Sequence, residues 1–141
     1  MHTTPAFTRL ALARVGVLAT VRPDGRPHAV PVVYAMVDDT IVTAVDHKPK
    51  STTRLQRLAN VRSNPQVSLL AQHYREDWTA LWWVRADGKG TVVEAGPTHA
   101  GAIEALVAKY EQYRRRPPSG PVIVIAVDQI AGWGDLRPDA E

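Results

Sequence analysis

The sequence predicts a mainly β domain with short helices, in which six or seven antiparallel strands form a small closed or split barrel. Two observations lead there. β-Branched apolar runs recur at short intervals between Pro-, Gly- and Asp-rich turns, and the strand–helix alternation of a parallel sheet is absent. The 141 residues, 45% hydrophobic and 22% charged, are enough for one core and not for two, so residues 1–141 are predicted to be a single domain. A chain of this length buries about two-thirds of its unfolded surface and needs no covalent or metal staple to fold.

Thr4-Pro5 supplies an N-cap and a proline at the first helical position, and Phe7, Leu10, Ala11 and Arg14 continue at helical spacing. Residues 15–21 form a β-branched run, Arg22-Pro23-Asp24-Gly25-Arg26 is turn chemistry, and residues 27–37 are a second run, which together predict a hairpin. Asp38-Asp39 turns the chain into a third strand over residues 40–45. Across residues 51–62, Leu55, Leu58, Ala59 and Arg62 fall at helical spacing until Asn64-Pro65 stops the helix. Residues 66–73 and 79–86 read as strands, with Asp87-Gly88-Lys89-Gly90 as a hairpin turn into residues 91–95. Pro97-Thr98 opens a helix with an apolar stripe of Ala102, Ile103, Leu106, Val107 and Tyr110, ended by Pro117-Pro118. The nearly all-apolar residues 121–127 suit a strand buried on both faces or lying across a subunit boundary. A small barrel fills its own interior with side chains, which places a planar cofactor outside it, in a groove that a second subunit can complete.

Composition removes several chemistries. With no cysteine there is no thiol catalysis, disulfide framework, zinc–thiolate site or iron–sulfur cluster. Histidines at positions 2, 28, 47, 73 and 99 include no close pair and no His-Glu-x-x-His, so no metal site is predicted. His28 and His73 read as surface or satisfied structural residues. No Gly-x-Ser-x-Gly elbow supports serine hydrolysis. Seventeen Lys and Arg against fourteen Asp and Glu give +3, too balanced for a nucleic-acid stripe. The start Met1-His2-Thr3-Thr4-Pro5 lacks a basic segment leading into an apolar one, and no stretch reaches the about 20 apolar residues of a membrane span. The expectation is a cytoplasmic protein with no membrane or nucleic-acid partner. Trp82 and Trp83, adjacent on a strand, point to opposite faces. Arg114-Arg115-Arg116 suits the negative end of its helix or, alternatively, a polyanionic coenzyme tail.

Charge is concentrated in one place. Lys48, Lys50, Arg54, Arg57 and Arg62 occur between positions 47 and 62 without a carboxylate, around a helix start at Ser51 with hydroxyls at Thr52 and Thr53. Unpaired N–H groups at a helix start, hydroxyls and cations together make a phosphate cradle. The alternative is that Ser51 is only an N-cap and the cations a solvated face. The glycines of a P-loop or of a dinucleotide fingerprint are missing.

The hairpin Leu18-Ala19-Thr20-Val21-Arg22-Pro23-Asp24-Gly25-Arg26-Pro27-His28 into Pro31-Val32-Val33-Tyr34, then Lys48-Pro49-Lys50 and Asn64-Pro65-Gln66-Val67-Ser68-Leu69, resembles the pyridoxamine-phosphate-oxidase-like (FMN-binding) split β-barrel superfamily. Asp77-Trp78-Thr79 and Leu81-Trp82-Trp83-Val84-Arg85-Ala86-Asp87-Gly88 are similar to an actinobacterial subgroup of deazaflavin (coenzyme F420) dependent reductases. The resemblance runs from Leu10 to Val127. It implies a homodimer with cofactor sites at the interface. The ring would lie against Leu18, Ala19, Thr20, Pro31, Val32 and Val33, largely through main chain, and the phosphate near Lys48, Lys50, Ser51, Thr53 and Arg54. It further implies an oxidoreductase that passes a hydride from F420 to a small unsaturated or quinone-like acceptor, with no catalytic side chain required. A proton would come from solvent, Tyr34 or His47. The alternatives are an FMN-binding oxidoreductase and a non-catalytic cofactor-binding module.

Departures matter as much. The oxidases of pyridoxamine phosphate carry a strand-one Arg followed closely by Leu-Lys and a basic C-terminal substrate motif, where this chain has Leu18-Ala19-Thr20 and Gly132-Trp133-Gly134-Asp135-Leu136-Arg137. Vitamin B6 oxidation is therefore not expected. Haem-oxygenase relatives use a C-terminal His, and none follows His99 here.

Overall fold

Thr4 caps the first helix, α1 (Pro5–Leu12), by accepting from the Phe7 amide at 3.2 Å, and Pro5 stands in its first turn as the sequence predicts. The computed structural model describes residues 4–45 and 52–137, with the side chains of residues 52–55 outside that description. After α1 come β1 (Gly16–Val21), β2 (Pro27–Val32), β3 (Ala35–Val37) and β4 (Thr40–Ala44). Then follow α2 (Thr52–Ser63), β5 (Gln66–His73), a 3-10 turn (Trp78–Ala80), β6 (Trp82–Val93), α3 (Pro97–Lys109), α4 (Glu111–Arg115) and β7 (Val122–Gly134).

All strand pairs are antiparallel, and the seven strands lie in the order β2-β1-β5-β6-β7-β4-β3. The two edge strands, β2 and β3, are joined by Val33-Tyr34 alone. Laid flat, seven strands would put their edges about 29 Å apart, whereas Val32 to Ala35 spans at most about 11 Å of chain. The sheet must curl until its edges approach, which is a barrel split along one seam.

The interior is the side-chain packing of one face of each strand. Leu18, Leu69, Val84, Ile123 and Ile125 fill it, and Leu10 of α1 and Leu58 and Val61 of α2 plug it. A second cluster forms outside the barrel, where Ala102 and Leu106 of α3 pack on Val42, Ala44 and Val122. Val122 thus faces α3 while Ile123 faces the barrel, and the expected burial on both faces holds at the start of β7. No helix among the described residues is long and apolar enough to cross a membrane.

Four sequence expectations are corrected. Residues 27–37 are two strands, because Tyr34 leaves the ladder. Its backbone N–H donates to Tyr110 Oη at 3.1 Å, and its own hydroxyl donates to the Leu10 carbonyl at 2.6 Å. Residues 82–93 are one continuous strand and not a hairpin. Asp87 stays in the sheet, bonded to Ser68 and Arg85, and the ladder with β7 shifts register between Asp87 and Gly88, a bulge. Gly88 and Gly90 serve close approach: a Cβ on Gly88 would collide with the Ala126 carbonyl, and one on Gly90 would press on Val61 and Ile123. The third helix breaks at Tyr110, whose backbone is extended while its hydroxyl lies within donating distance of Tyr34 O at 2.8 Å and Arg14 O at 3.0 Å. The last strand continues past Val127 to Gly134, paired with β6 throughout.

Candidate functional site

Where β2 gives way to β3, the structure opens a groove of about 220 Å³ lined by Val15, Pro31, Val32, Val33, Ala44 and Arg57. Its lining side chains are apolar apart from one cation, Arg57, which comes from α2. Three of the predicted contact residues, Pro31, Val32 and Val33, are brought together here. Among the described residues β2 pairs only with β1, so its other edge carries no described strand and offers main-chain polar groups of the kind the sequence reading invoked.

Other predicted residues fare differently. Leu18 and Thr20 are buried on the barrel face of β1, so their side chains serve the core, and Ala19 is half-buried on the opposite face. Among the described residues, neither Leu18 nor Thr20 lines the groove. Lys48, Lys50 and Ser51 lie outside the described residues, as does His47. Thr53 and Arg54 fall in the first turn of α2, their side chains likewise outside the description. Tyr34 is corrected as a proton source: it is fully buried, spends its O–H on Leu10, and burial together with Tyr110 raises it above the ordinary phenol range.

The sequence reading missed how α2 is fixed over the strands. Asn60, fully buried, accepts from Gln56 Nε2 at 2.6 Å and donates from Nδ2 to Thr20 Oγ1 at 3.0 Å. A buried amide satisfied on both sides is a rigid strut, and it ties the helix carrying Arg57 to β1. Across the ladder from Thr20 lies His28. The residue is partly exposed, but its Nδ1 is inaccessible and has no hydrogen-bond partner among the described residues, so that atom is not satisfied. Burial, followed by the charges of Arg22 and Arg57, lowers its pKa. The imidazole is therefore neutral at pH 7 in an electropositive corner, which favours an anion nearby. Arg57 was legible as a cation one helical step beyond Arg54; its convergence with Pro31 and Ala44 was not.

The two tryptophans separate as expected. Trp82 is buried, stacked on His73 at 6.0 Å with Arg9 4.9 Å over its ring, whereas Trp83 lies on the outer face beneath Arg85. His73 is structural in this sense and also receives Arg75 Nε at 3.0 Å. Arg114 Nη1 donates to the carbonyls of Val107 and Ala108, so it caps the end of α3, and Arg115 pairs with Glu111.

Comparison with known proteins gives the fold a context. A family model described as pyridoxamine 5'-phosphate oxidase matches residues 5–134. Among solved structures, a conserved hypothetical protein from Mycobacterium tuberculosis is similar at 23% identity and a TM-score of 0.73, with 95% of this chain and 86% of that one covered. A FAD-binding protein from Mesorhizobium loti is similar at 21% identity and a TM-score of 0.69, with 94% of each chain covered. The heme storage protein HutZ from Vibrio cholerae is similar at 16% identity and a TM-score of 0.69, with 95% of each chain covered. No curated protein matches the chain.

Proposed function

Since the chain belongs to the pyridoxamine 5'-phosphate oxidase family, we propose that it is an oxidoreductase whose groove between β2 and α2 takes an isoalloxazine-type ring, that of coenzyme F420, as its cofactor. The observation that carries this reading is the groove itself: five apolar residues and one guanidinium suit a flat apolar ring with an anionic arm. The family match and the similarity to a FAD-binding protein of the same fold support a ring of the flavin class. The resemblance of residues 77–88 to deazaflavin reductases supports F420 over FMN.

When bound, a reduced deazaflavin supplies a hydride, and the chain's task is to bind, orient and shield it. Val15, Pro31, Val32, Val33 and Ala44 exclude water from one side of the ring. Arg57 offers a charge-assisted hydrogen bond to an anion, with Lys48, Lys50, Ser51, Thr53 and Arg54 proposed to complete the phosphate cradle. The strut from Asn60 to Thr20 holds Arg57's helix at a fixed distance from the strands. No side chain is needed as a nucleophile.

A homodimer with the site at its interface belongs to the same proposal. The outer face of the sheet aligns Val17 with Pro31 and Leu70, and Trp83 with Trp133, across the ladders. Val17, 37% exposed, and Trp133, 52% exposed, are large apolar surfaces left to solvent in one copy. Because Pro31 belongs to this face and to the groove, a second copy seated there would complete the groove wall.

Titration of apo protein with F420, FMN and haem, followed by fluorescence and absorbance, tests the reading. F420 binding with FMN at least about tenfold weaker supports it, and the reverse order assigns FMN instead. Haem binding with neither flavin would favour a storage module like the similar HutZ. Arg57→Gln is expected to weaken the bound flavin by about 1–3 kcal/mol.

A further inference from the structure

Pro27 and Pro31 stand four residues apart on β2, a strand whose far edge carries no described strand. The β1–β2 hairpin fixes where the main-chain groups of that edge point. Arg22 N–H donates to the Arg26 carbonyl at 2.8 Å, which makes these two a bonded pair, and the register then runs unbroken from Val21 opposite Pro27 to Gly16 opposite Val32. Bonded and non-bonded pairs alternate in an antiparallel ladder, so Thr20 with His28, Leu18 with Val30 and Gly16 with Val32 exchange bonds. Pro27, Ala29 and Pro31 therefore turn their main chain away from β1, to the free edge. Two of these three have no N–H to offer. Pro31 is the one that lines the ring groove, and it brings a carbonyl and no donor. That carbonyl has no partner among the described residues. The next residue on the groove wall with an outward carbonyl, Val33, spends it on Thr43 Oγ1 at 2.8 Å. Along β2 the nearest N–H on this edge is that of Ala29, two residues or about 7 Å back.

An edge that accepts and does not donate distinguishes between two ring heads. Pro31 comes to the groove from β2 and Arg57 from α2. An isoalloxazine carries its anionic arm on N10, and position 5 lies on the opposite side of the same central ring. With the arm turned to Arg57 on the α2 side, position 5 is turned to β2. In a flavin that position is a nitrogen acceptor, and in a deazaflavin it is a carbon bearing hydrogen, which needs no donor. We infer that Pro31 is a specificity-determining residue: by withholding a main-chain N–H it leaves a flavin N5 unpaired in the groove and so favours the deazaflavin head. This rests on the cofactor reading above and assigns its selectivity to one residue. The two prolines have a second effect on the same edge, since the missing donors blunt it against a further strand and leave it to a small ligand.

The probes are FMN and 5-deaza-FMN, which differ at that one ring position, titrated into apo protein by calorimetry. 5-Deaza-FMN is expected to bind at least about tenfold more tightly than FMN, a comparison that needs no variant. Pro31→Ala restores an N–H at an exposed position whose main chain the ladder does not use. It should tighten FMN about tenfold, leave 5-deaza-FMN and F420 unchanged, and move the N5 signal of ¹⁵N5-labelled FMN upfield. Pro27→Ala, on the same edge outside the groove, should change none of these. Equal affinity of the wild type for the two probes, an unchanged ratio in Pro31→Ala, or an equal loss of all three ligands in that variant overturns the inference. Equal binding of both probes that Arg57→Gln still weakens sinks it and spares the cofactor reading. Binding of neither probe, with none of F420, overturns both.

Discussion

At the scale of single residues, two polar side chains hold helices in place, the buried Asn60 against β1 and the half-buried Lys109 against the end of α1, and each makes a measurable prediction. Asn60→Ala removes both bonds of the strut and leaves the buried Thr20 hydroxyl without its donor, so it is expected to cost about 1–3 kcal/mol in urea denaturation. Lys109 is the second. Its Nζ donates to the Ala11 and Ala13 carbonyls at 3.1 and 2.7 Å and lies 4.4 Å over the Tyr34 ring. Burial, and then the charge of Arg14, depresses its pKa to about 8 from an ordinary 10.5. Between those values the unfolded chain holds a proton that the folded chain has released, so stability rises with pH across that window. Lys109→Met should flatten the rise, read as the difference in urea midpoint between pH 8 and pH 10. An identical slope in the variant would place the titrating group elsewhere.

At the scale of elements, a pair of glycines separates conformational cost from steric cost. Gly88→Ala drives a Cβ into the Ala126 carbonyl at the β6 bulge and is expected to destabilise by about 1–3 kcal/mol. Gly101→Ala, in α3 with nothing within 4 Å of its new methyl, should stabilise by about 0.5–1 kcal/mol. Chemical denaturation of the two variants side by side checks both signs. The same comparison shows what sequence patterns could reveal. The cap at Thr4, the turn at Arg22–Arg26 and the strand over Gln66–His73 rest on local chemistry, and each was legible. Asp87-Gly88-Lys89-Gly90 has turn composition, but its glycines are there for the backbone of Ala126 and for Val61 of α2, both far away in sequence. Tyr34 and Tyr110 defeated the pattern for a related reason: the Tyr110 hydroxyl replaces a backbone partner of Tyr34 over a separation of 76 residues, and the Tyr34 hydroxyl reaches the Leu10 carbonyl over 24. In the site, Pro31, Val32 and Val33 were found through resemblance, whereas Arg57, Ala44 and Val15 needed the curl of the sheet to bring them together.

At the scale of the whole molecule, the outer sheet face makes the association prediction. Val17 and Leu70 are cross-strand partners on that face, with the polar trio Ser68, Asp87 and Arg85 beside them. Light scattering is expected to show a dimer, and Val17→Glu with Leu70→Glu a monomer, because two like charges replace adjoining apolar area. A double variant that stays dimeric would move the interface to another face. F420 affinity should fall in the monomer if the second copy completes the groove.

Strand order carries one more consequence, for the birth of the protein on the ribosome. β7 lies between β6 and β4, so among the described strands the β3–β4 pair joins the rest of the sheet through β7 alone. Until residues past Val122 have cleared the exit tunnel, a nascent polypeptide holds two half-sheets with bare rims and no means of docking them. Closure is thus postponed until β7 has been made, and a message cut short before that point would yield sticky fragments that quality-control proteases should clear.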